Sequence, residues 1–79
     1  MRRIRVLAYS GCKADERPLS FFLGGEKIPV ETILRQWVEE DSELRMGRRS
    51  CFLVRGEDTK TYCLCHHHKE GAWFLATNP

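Results

Sequence analysis

The residues best suited to chemistry stand close together in the run Cys63-Leu64-Cys65-His66-His67-His68. Thiolates and imidazoles are good ligands for zinc, copper and nickel. On a strand, side chains two residues apart share a face, which would place Cys63, Cys65 and His67 together. A structural zinc site usually combines two closely spaced ligand pairs, and the other two cysteines are distant in sequence. We therefore predict no native metal, with a site at these three residues as the outside alternative.

A cysteine near a histidine could also be a nucleophile with its general base, and Cys12 and Cys65 are the candidates. Such a pair needs a third group to orient it and a pocket that stabilises an oxyanion. A chain of 79 residues offers little concave space for that arrangement. We therefore predict that the protein is not an enzyme and has neither catalytic residues nor a cofactor.

A charged segment, Lys13-Ala14-Asp15-Glu16-Arg17-Pro18, has neither metal-ligand spacing nor a glycine-rich phosphate loop. Its alternating charges could form ion pairs within the segment, each worth about 0–1 kcal/mol when exposed. Loops on a rigid scaffold nevertheless often carry binding residues. The binding candidates are therefore Lys13, Asp15, Glu16 and Arg17, together with Trp37 and Arg49.

Arginines cluster twice, at Arg2, Arg3 and Arg5 and again at Arg45, Arg48 and Arg49. With 13 basic and 11 acidic residues, the net charge of +2 is too balanced to predict nucleic-acid binding by itself. Solvated strand ends explain both clusters more simply. Aromatic residues beside basic ones also occur in single-strand nucleic-acid platforms. Among the aromatic residues we expect only Trp37 to be exposed.

The composition, 42% hydrophobic and 30% charged, predicts a folded chain with one domain over residues 1–79. No segment approaches the roughly 20 apolar residues that span a bilayer. The apolar run after the N-terminal arginines is too short for a secretory signal. We expect a cytoplasmic protein without membrane contact, whose cysteines are reduced.

Turn signals divide the chain into short segments rich in β-forming residues. About six short strands with short connections are typical of a small antiparallel barrel or a bent sheet, SH3-like in architecture. The fold class is therefore mainly β. The predicted strands are 4–9, 19–23, 27–30 with its continuation, 49–55, 60–65 and 72–76, and 66–71 is predicted to be a turn.

Residues 30–40 are ambiguous, because their apolar positions fit the spacing of a helical stripe. A helix there would begin at Pro29 with Ile28 as a poor N-terminal cap. Valine, isoleucine, threonine and tryptophan are also frequent in strands. We predict a long bent strand, and a helix over 30–40 would make the fold α+β instead.

The predicted strands 49–55 and 60–65 form a hairpin, and its register follows from the length of the loop between them. If the loop is 57–59, Val54 lies opposite Tyr62 and Phe52 lies opposite Leu64, which gathers four large apolar side chains on one face. The predicted core is Val6, Phe22, Ile28, Val30, Ile33, Phe52, Val54, Tyr62, Leu64, Trp73 and Leu75.

Positions spread over nearly the whole chain follow a pattern found in other proteins. In the first half they are Tyr9-Ser10-Gly11, Ala14-Asp15-Glu16-Arg17-Pro18, Phe22, Val30, Ile33-Leu34, Trp37 and Glu39. In the second half they are Arg49, Phe52, Val54, Asp58, Tyr62, Leu64, Trp73 and Leu75. In these positions the chain resembles a family of small bacterial proteins of unknown function.

A domain similar to that family also occurs at the C-terminal end of some bacterial relatives of lesion-bypass (Y-family) DNA polymerases. The resemblance implies an accessory or docking role by analogy and names no catalytic residue. The chain departs from the pattern at Thr59, where glycine would ease the turn, in a longer insert at 40–46, and in its cysteines and histidines. We predict a small binding module that docks onto a protein partner, with nucleic-acid binding as the alternative.

Overall fold

The computed structural model describes residues 2–10, 16–41 and 47–76 of the chain. They form six strands, which are β1 (Arg2–Ser10), β2 (Glu16–Leu23), β3 (Glu26–Asp41), β4 (Gly47–Gly56), β5 (Thr61–His67) and β6 (Ala72–Ala76). Each strand pairs antiparallel with the next, and β6 pairs with β1, so the sheet closes into a barrel. This confirms the predicted small antiparallel β-barrel. Among the described residues there is no helix long and apolar enough to cross a membrane.

Residues 30–40 belong to β3, a strand of 16 residues, which confirms the long bent strand. The pairing of β3 with β4 shifts twice and leaves Glu31 and Leu34 without a partner opposite them. Each such bulge reverses the alternation of faces and bends the strand. Val30 and Ile33, three residues apart, therefore both pack against the core. The bulges also explain why the apolar spacing resembles that of a helix.

The barrel interior is filled by residues from all six strands. The buried members of the core are Phe21, Ile28, Phe52, Val54, Leu64, Trp73 and Leu75, with Ile4, Val6, Ala8, Leu23, Val30, Ile33 and Tyr62 packed against them. The prediction of Phe22 as a core residue is wrong. Phe21 lies opposite the inward-facing Val6 and is fully buried, so alternation turns Phe22 to the outside, opposite Arg5.

The hairpin of β4 and β5 has the predicted register, with Val54 opposite Tyr62 and Phe52 opposite Leu64. Its turn brings Thr59 to a φ of 71°, a left-handed conformation that suits glycine better than a β-branched residue. The predicted turn at 66–71 is wrong at its start. β5 continues to His67 because 66 and 67 still pair with both neighbouring strands, and the turn covers 68–71.

Candidate functional site

The outer surface of β1 and β2 carries a group of exposed apolar and basic side chains, which we call the β1–β2 face. Alternation along β1 turns four of its residues outward, and outward-facing residues of β2, together with one of β3, complete the group. The face consists of Arg3, Arg5, Leu7, Tyr9, Arg17, Leu19, Phe22 and Lys27.

The centre of the β1–β2 face is apolar and open to solvent. The exposed fraction is 38% for Leu7, 61% for Tyr9 and 54% for Leu19. Leu19 is exposed because the pairing of β1 with β2 shifts between Leu7 and Ala8 and leaves it without a residue opposite. A bulge of this kind redirects a side chain that regular alternation would place elsewhere.

Basic residues lie at both ends of that centre. The Arg5 guanidinium lies 5.0 Å from the centroid of the Phe22 ring, within cation–π distance. Lys27 lies opposite Phe22 on β3, so Phe22 has a basic residue opposite it on each neighbouring strand. Arg17 lies opposite Tyr9 at the far end. Every charged residue of this face is therefore positive.

A shallow groove of about 470 Å³ adjoins the β1–β2 face where β1 meets β6. Its wall on β1 includes Arg3 and Arg5, and its β6 side includes Trp73, which is almost entirely buried. The charged residues in the lining of the groove are thus two arginines of β1. Such a lining suits an anionic group more than a cationic one.

The predicted binding residues Trp37 and Arg49 are brought together by a third residue, Glu39, on the β3–β4 surface. Trp37 Nε1 donates to Glu39 Oε2 at 2.7 Å, and Arg49 Nη2 lies 2.6 Å from Glu39 Oε1. The hydrogen bond from Trp37, followed by that from Arg49, lowers the pKa of Glu39. Trp37 is half-buried, so its predicted exposure is wrong, since it packs across this pair of strands.

This Trp37–Glu39–Arg49 cluster satisfies its own polar groups. The indole N–H, the carboxylate and the guanidinium all have partners within it, and a further guanidinium, that of Arg35, lies 5.6 Å from the indole ring centroid. Groups that are already paired have less to offer a ligand. The cluster therefore joins β3 to β4 and is a weaker binding candidate than the β1–β2 face.

The three cysteines that the structure describes lie on β4 and β5, on the face of these strands that points away from the barrel interior. Cys51 pairs with Cys65 across the strands, and their sulfur atoms are 3.1 Å apart. Burial raises the pKa of the Cys65 thiol to about 12 and that of Cys63 to about 11. Both thiols are therefore protonated at neutral pH, which is the opposite of an activated nucleophile.

The outside alternative of a metal site is not supported by the arrangement of its ligands. Cys63, Cys65 and His67 share the outer face of β5, as alternation predicts. Among the described residues, however, no three histidine, cysteine or acidic side chains converge on a position that could hold a metal ion. The His67 ring is only 4% exposed and lies 4.3 Å from the ring of Phe74.

Of the other predicted binding residues, the structure describes Arg17, which belongs to the β1–β2 face, and Glu16. Arg17 is exposed on β2, and Glu16 begins that strand. Lys13 and Asp15 lie outside the described residues, as does Cys12, the second nucleophile candidate. The exposure of Leu7, Tyr9 and Leu19 was not predicted, so the expectation that Trp37 alone among the aromatic residues is exposed is also wrong for Tyr9. Alternation along the first strand was the available signal for Leu7, whereas a bulge decides the position of Leu19.

No family model matches the chain, and no curated protein or solved structure matches it either. The resemblance to small bacterial proteins therefore stays a prediction. The geometry of this chain must carry the functional argument.

Proposed function

We propose that this chain is a cytoplasmic binding module that docks onto a protein partner through the β1–β2 face. The observation that carries the proposal is the exposure of Leu7, Tyr9 and Leu19 beside one another, with basic residues at both ends of this apolar patch. Protein interfaces commonly have an apolar centre with a polar rim, in which tyrosine and arginine are enriched.

The positive charge of this face indicates a partner with an acidic surface. Its charged residues are Arg3, Arg5, Arg17 and Lys27, all of them cations. A complementary surface carries carboxylates around an apolar patch, because like charges facing one another would oppose binding. The groove beside Arg3 and Arg5 suits an acidic side chain of that partner.

The resemblance in sequence agrees with this role. The related domain at the end of polymerase-like proteins implies an accessory module, and accessory modules act by binding. On the same analogy the chain is bacterial. Binding a partner through the β1–β2 face needs no catalytic residue.

A second candidate, binding of single-stranded nucleic acid, is favoured by one feature of the same face. Phe22 lies between Arg5 and Lys27, and a base stacked on an aromatic ring between cations is a known mode of single-strand binding. The aliphatic side chains of Leu7 and Leu19 at the centre favour a protein. A protein surface can bury both, whereas a nucleic acid gains little from them.

Site-specific crosslinking in the native host tests the docking proposal. A photoreactive amino acid replaces Leu19, and a matched variant carries it at Val38, which is 57% exposed on β3. We expect one protein, identified by mass spectrometry, to crosslink from position 19 and not from position 38. The charge reversal Arg17→Glu should remove this adduct. Equal yields at both positions, or no protein adduct at 19, would overturn the proposal.

Titration with an oligonucleotide separates the two candidates. A short single-stranded oligonucleotide is added to the isotope-labelled protein at low and at moderate salt, and amide shifts are followed. Docking onto a protein predicts an unchanged spectrum. Salt-sensitive shifts centred on Arg5, Phe22 and Lys27 would replace the docking proposal with nucleic-acid binding.

A further inference from the structure

Cys51 and Cys65 form a pair of thiols whose arrangement the docking proposal does not explain. They lie directly opposite one another on β4 and β5, with a distance of 3.1 Å between their Sγ atoms. Both are free, and they are 1% and 2% exposed. Because their sulfur atoms are in contact, these two cysteines can react with each other without a large movement of the backbone.

The backbone allows a bond between these two sulfurs. Opposed residues of antiparallel strands have Cα atoms about 4.5 or 5.5 Å apart, depending on their place in the hydrogen-bond ladder. Disulfides span Cα distances of roughly 4.4–6.8 Å, with about 2.05 Å between the sulfurs. The Sγ atoms of Cys51 and Cys65 therefore need to approach by only about 1 Å, which side-chain rotation can supply.

The third described thiol, Cys63, is placed differently. It is half-buried and lies opposite Leu53, so it has no cysteine across the strand. Cys65 is two residues away on the same strand, and its thiol contacts that of Cys63. Residues in that relation have Cα atoms about 6.4–6.8 Å apart, at the upper limit of what a disulfide spans. Cys63 is therefore a control, because a reaction that needs a cysteine on the opposite strand should not involve it.

We propose that Cys51 and Cys65 are a redox site that reacts with a hydroperoxide and closes as a reversible cross-strand disulfide. This inference is independent of the docking function. The oxidant must be small, because the two thiols are almost completely buried, and Trp37 and Phe74 lie opposite them on the neighbouring strands.

The reaction balances with hydrogen peroxide as the oxidant. One thiol loses its proton, and its sulfur attacks a peroxide oxygen, so that an S–O bond forms, the O–O bond breaks and water leaves. The second sulfur attacks the resulting sulfenic acid, forming the S–S bond and releasing a second water. Two thiols and one peroxide thus give one disulfide and two waters. Two electrons pass from sulfur to oxygen.

Reduction returns the site to its starting state. A small thiol attacks the disulfide to give a mixed disulfide, and a second small thiol releases it as its own disulfide. Burial raises the pKa of Cys65 to about 12, and burial also raises that of Cys51. Little thiolate is therefore present at neutral pH, so oxidation is slow and accelerates as pH rises.

Peroxide treatment of the full chain tests the proposal, with Cys12→Ser as the background to remove the cysteine outside the described residues. After oxidation the intact mass should fall by two hydrogen atoms, and peptide mapping should join Cys51 to Cys65. A small thiol should restore the original mass. Cys63→Ser, the matched control, should react in the same way, whereas Cys51→Ser and Cys65→Ser should not form the link.

Two further readouts guard against misfolding of the variants. Amide spectra establish that each serine variant keeps the barrel, and the melting temperature of the Cys63→Ser protein should rise by about 10 °C on oxidation. A gain of oxygen mass without loss of hydrogen would overturn the proposal. So would a disulfide that contains Cys63, or one that forms only between two chains.

Discussion

Trp37 donates its indole N–H to the carboxylate of Glu39, with 2.7 Å between Trp37 Nε1 and Glu39 Oε2. The other oxygen of that carboxylate receives Arg49 from the neighbouring strand. Trp37 also lies opposite Cys51, so this hydrogen bond orients the indole ring beside the pair of Cys51 and Cys65. One carboxylate therefore links β3 to β4 and fixes a side chain beside the redox pair.

Glu39→Gln should lower the free energy of unfolding by about 1 kcal/mol, because it removes a charge that two donors share. The matched control is Glu40→Gln, which breaks the ion pair between Glu40 and Arg48. Those side chains are 66% and 60% exposed, so the expected loss is within about 0.5 kcal/mol. Denaturant titration of the three proteins measures both values. Equal losses would show that the bond to Trp37 adds nothing.

The contribution of Glu39 should disappear in acid. Its pKa in the folded protein lies below the ordinary value of 4.5, first because of Trp37 and then because of Arg49. A lowered pKa stabilises the folded state fully above the unfolded value, and the benefit is lost as pH falls through the folded one. The stability difference between wild type and Glu39→Gln should therefore be constant at neutral pH and shrink as pH falls below 4.5. A constant difference over that range would contradict the assignment.

Thr59→Gly should stabilise the barrel by about 0.5–1 kcal/mol, since it relieves a β-branched residue at a φ of 71°. The backbone hydrogen bond from Thr59 N to Gly56 O is unaffected by the change. Thr61→Gly is the control, because Thr61 lies in β5, where glycine weakens a strand. Thermal unfolding should move the two variants in opposite directions. A loss of stability in both would argue against strain at the turn.

The phenol of Tyr62 should ionise at unusually high pH. It donates to Asp58 Oδ2 at 2.5 Å, and this hydrogen bond, followed by burial, raises the pKa of Tyr62 to about 12. Asp58→Asn removes the charge and should bring the value back toward 10. Ultraviolet absorbance measures the ionisation, in a Tyr9→Phe background that leaves a single tyrosine. No change on Asp58→Asn would mean that burial alone raises the pKa.

The raised pKa of Tyr62 also makes the stability of the folded protein depend on pH in alkaline solution. A raised pKa contributes stability that is present below about pH 10 and lost as pH rises toward about 12. Unfolding measured across that interval should therefore show a decline that Asp58→Asn reduces.

Much of the fold could be predicted because its signals are local. Glycines and polar residues mark the turns, and β-forming residues lie between them, which determines where strands begin and end. The three-residue loop at 57–59 fixed the register of the hairpin, since a slip of one residue would have split the apolar set of Val54 and Tyr62. That register already places Cys51 opposite Cys65, a relation that the sequence analysis left unused.

Only the tertiary structure decides which of two adjacent apolar residues is buried. Phe21 and Phe22 are the same residue type in succession, and only the pairing of Phe21 with Val6 shows which one enters the core. The bulge that exposes Leu19 depends on how β1 and β2 fit together in a closed barrel. The contact of Trp37 with Glu39 and Arg49 depends likewise on two bulges in β3. Bulges shift the register by one residue, and because the side-chain period of a strand is two, each shift exchanges the inner and outer faces.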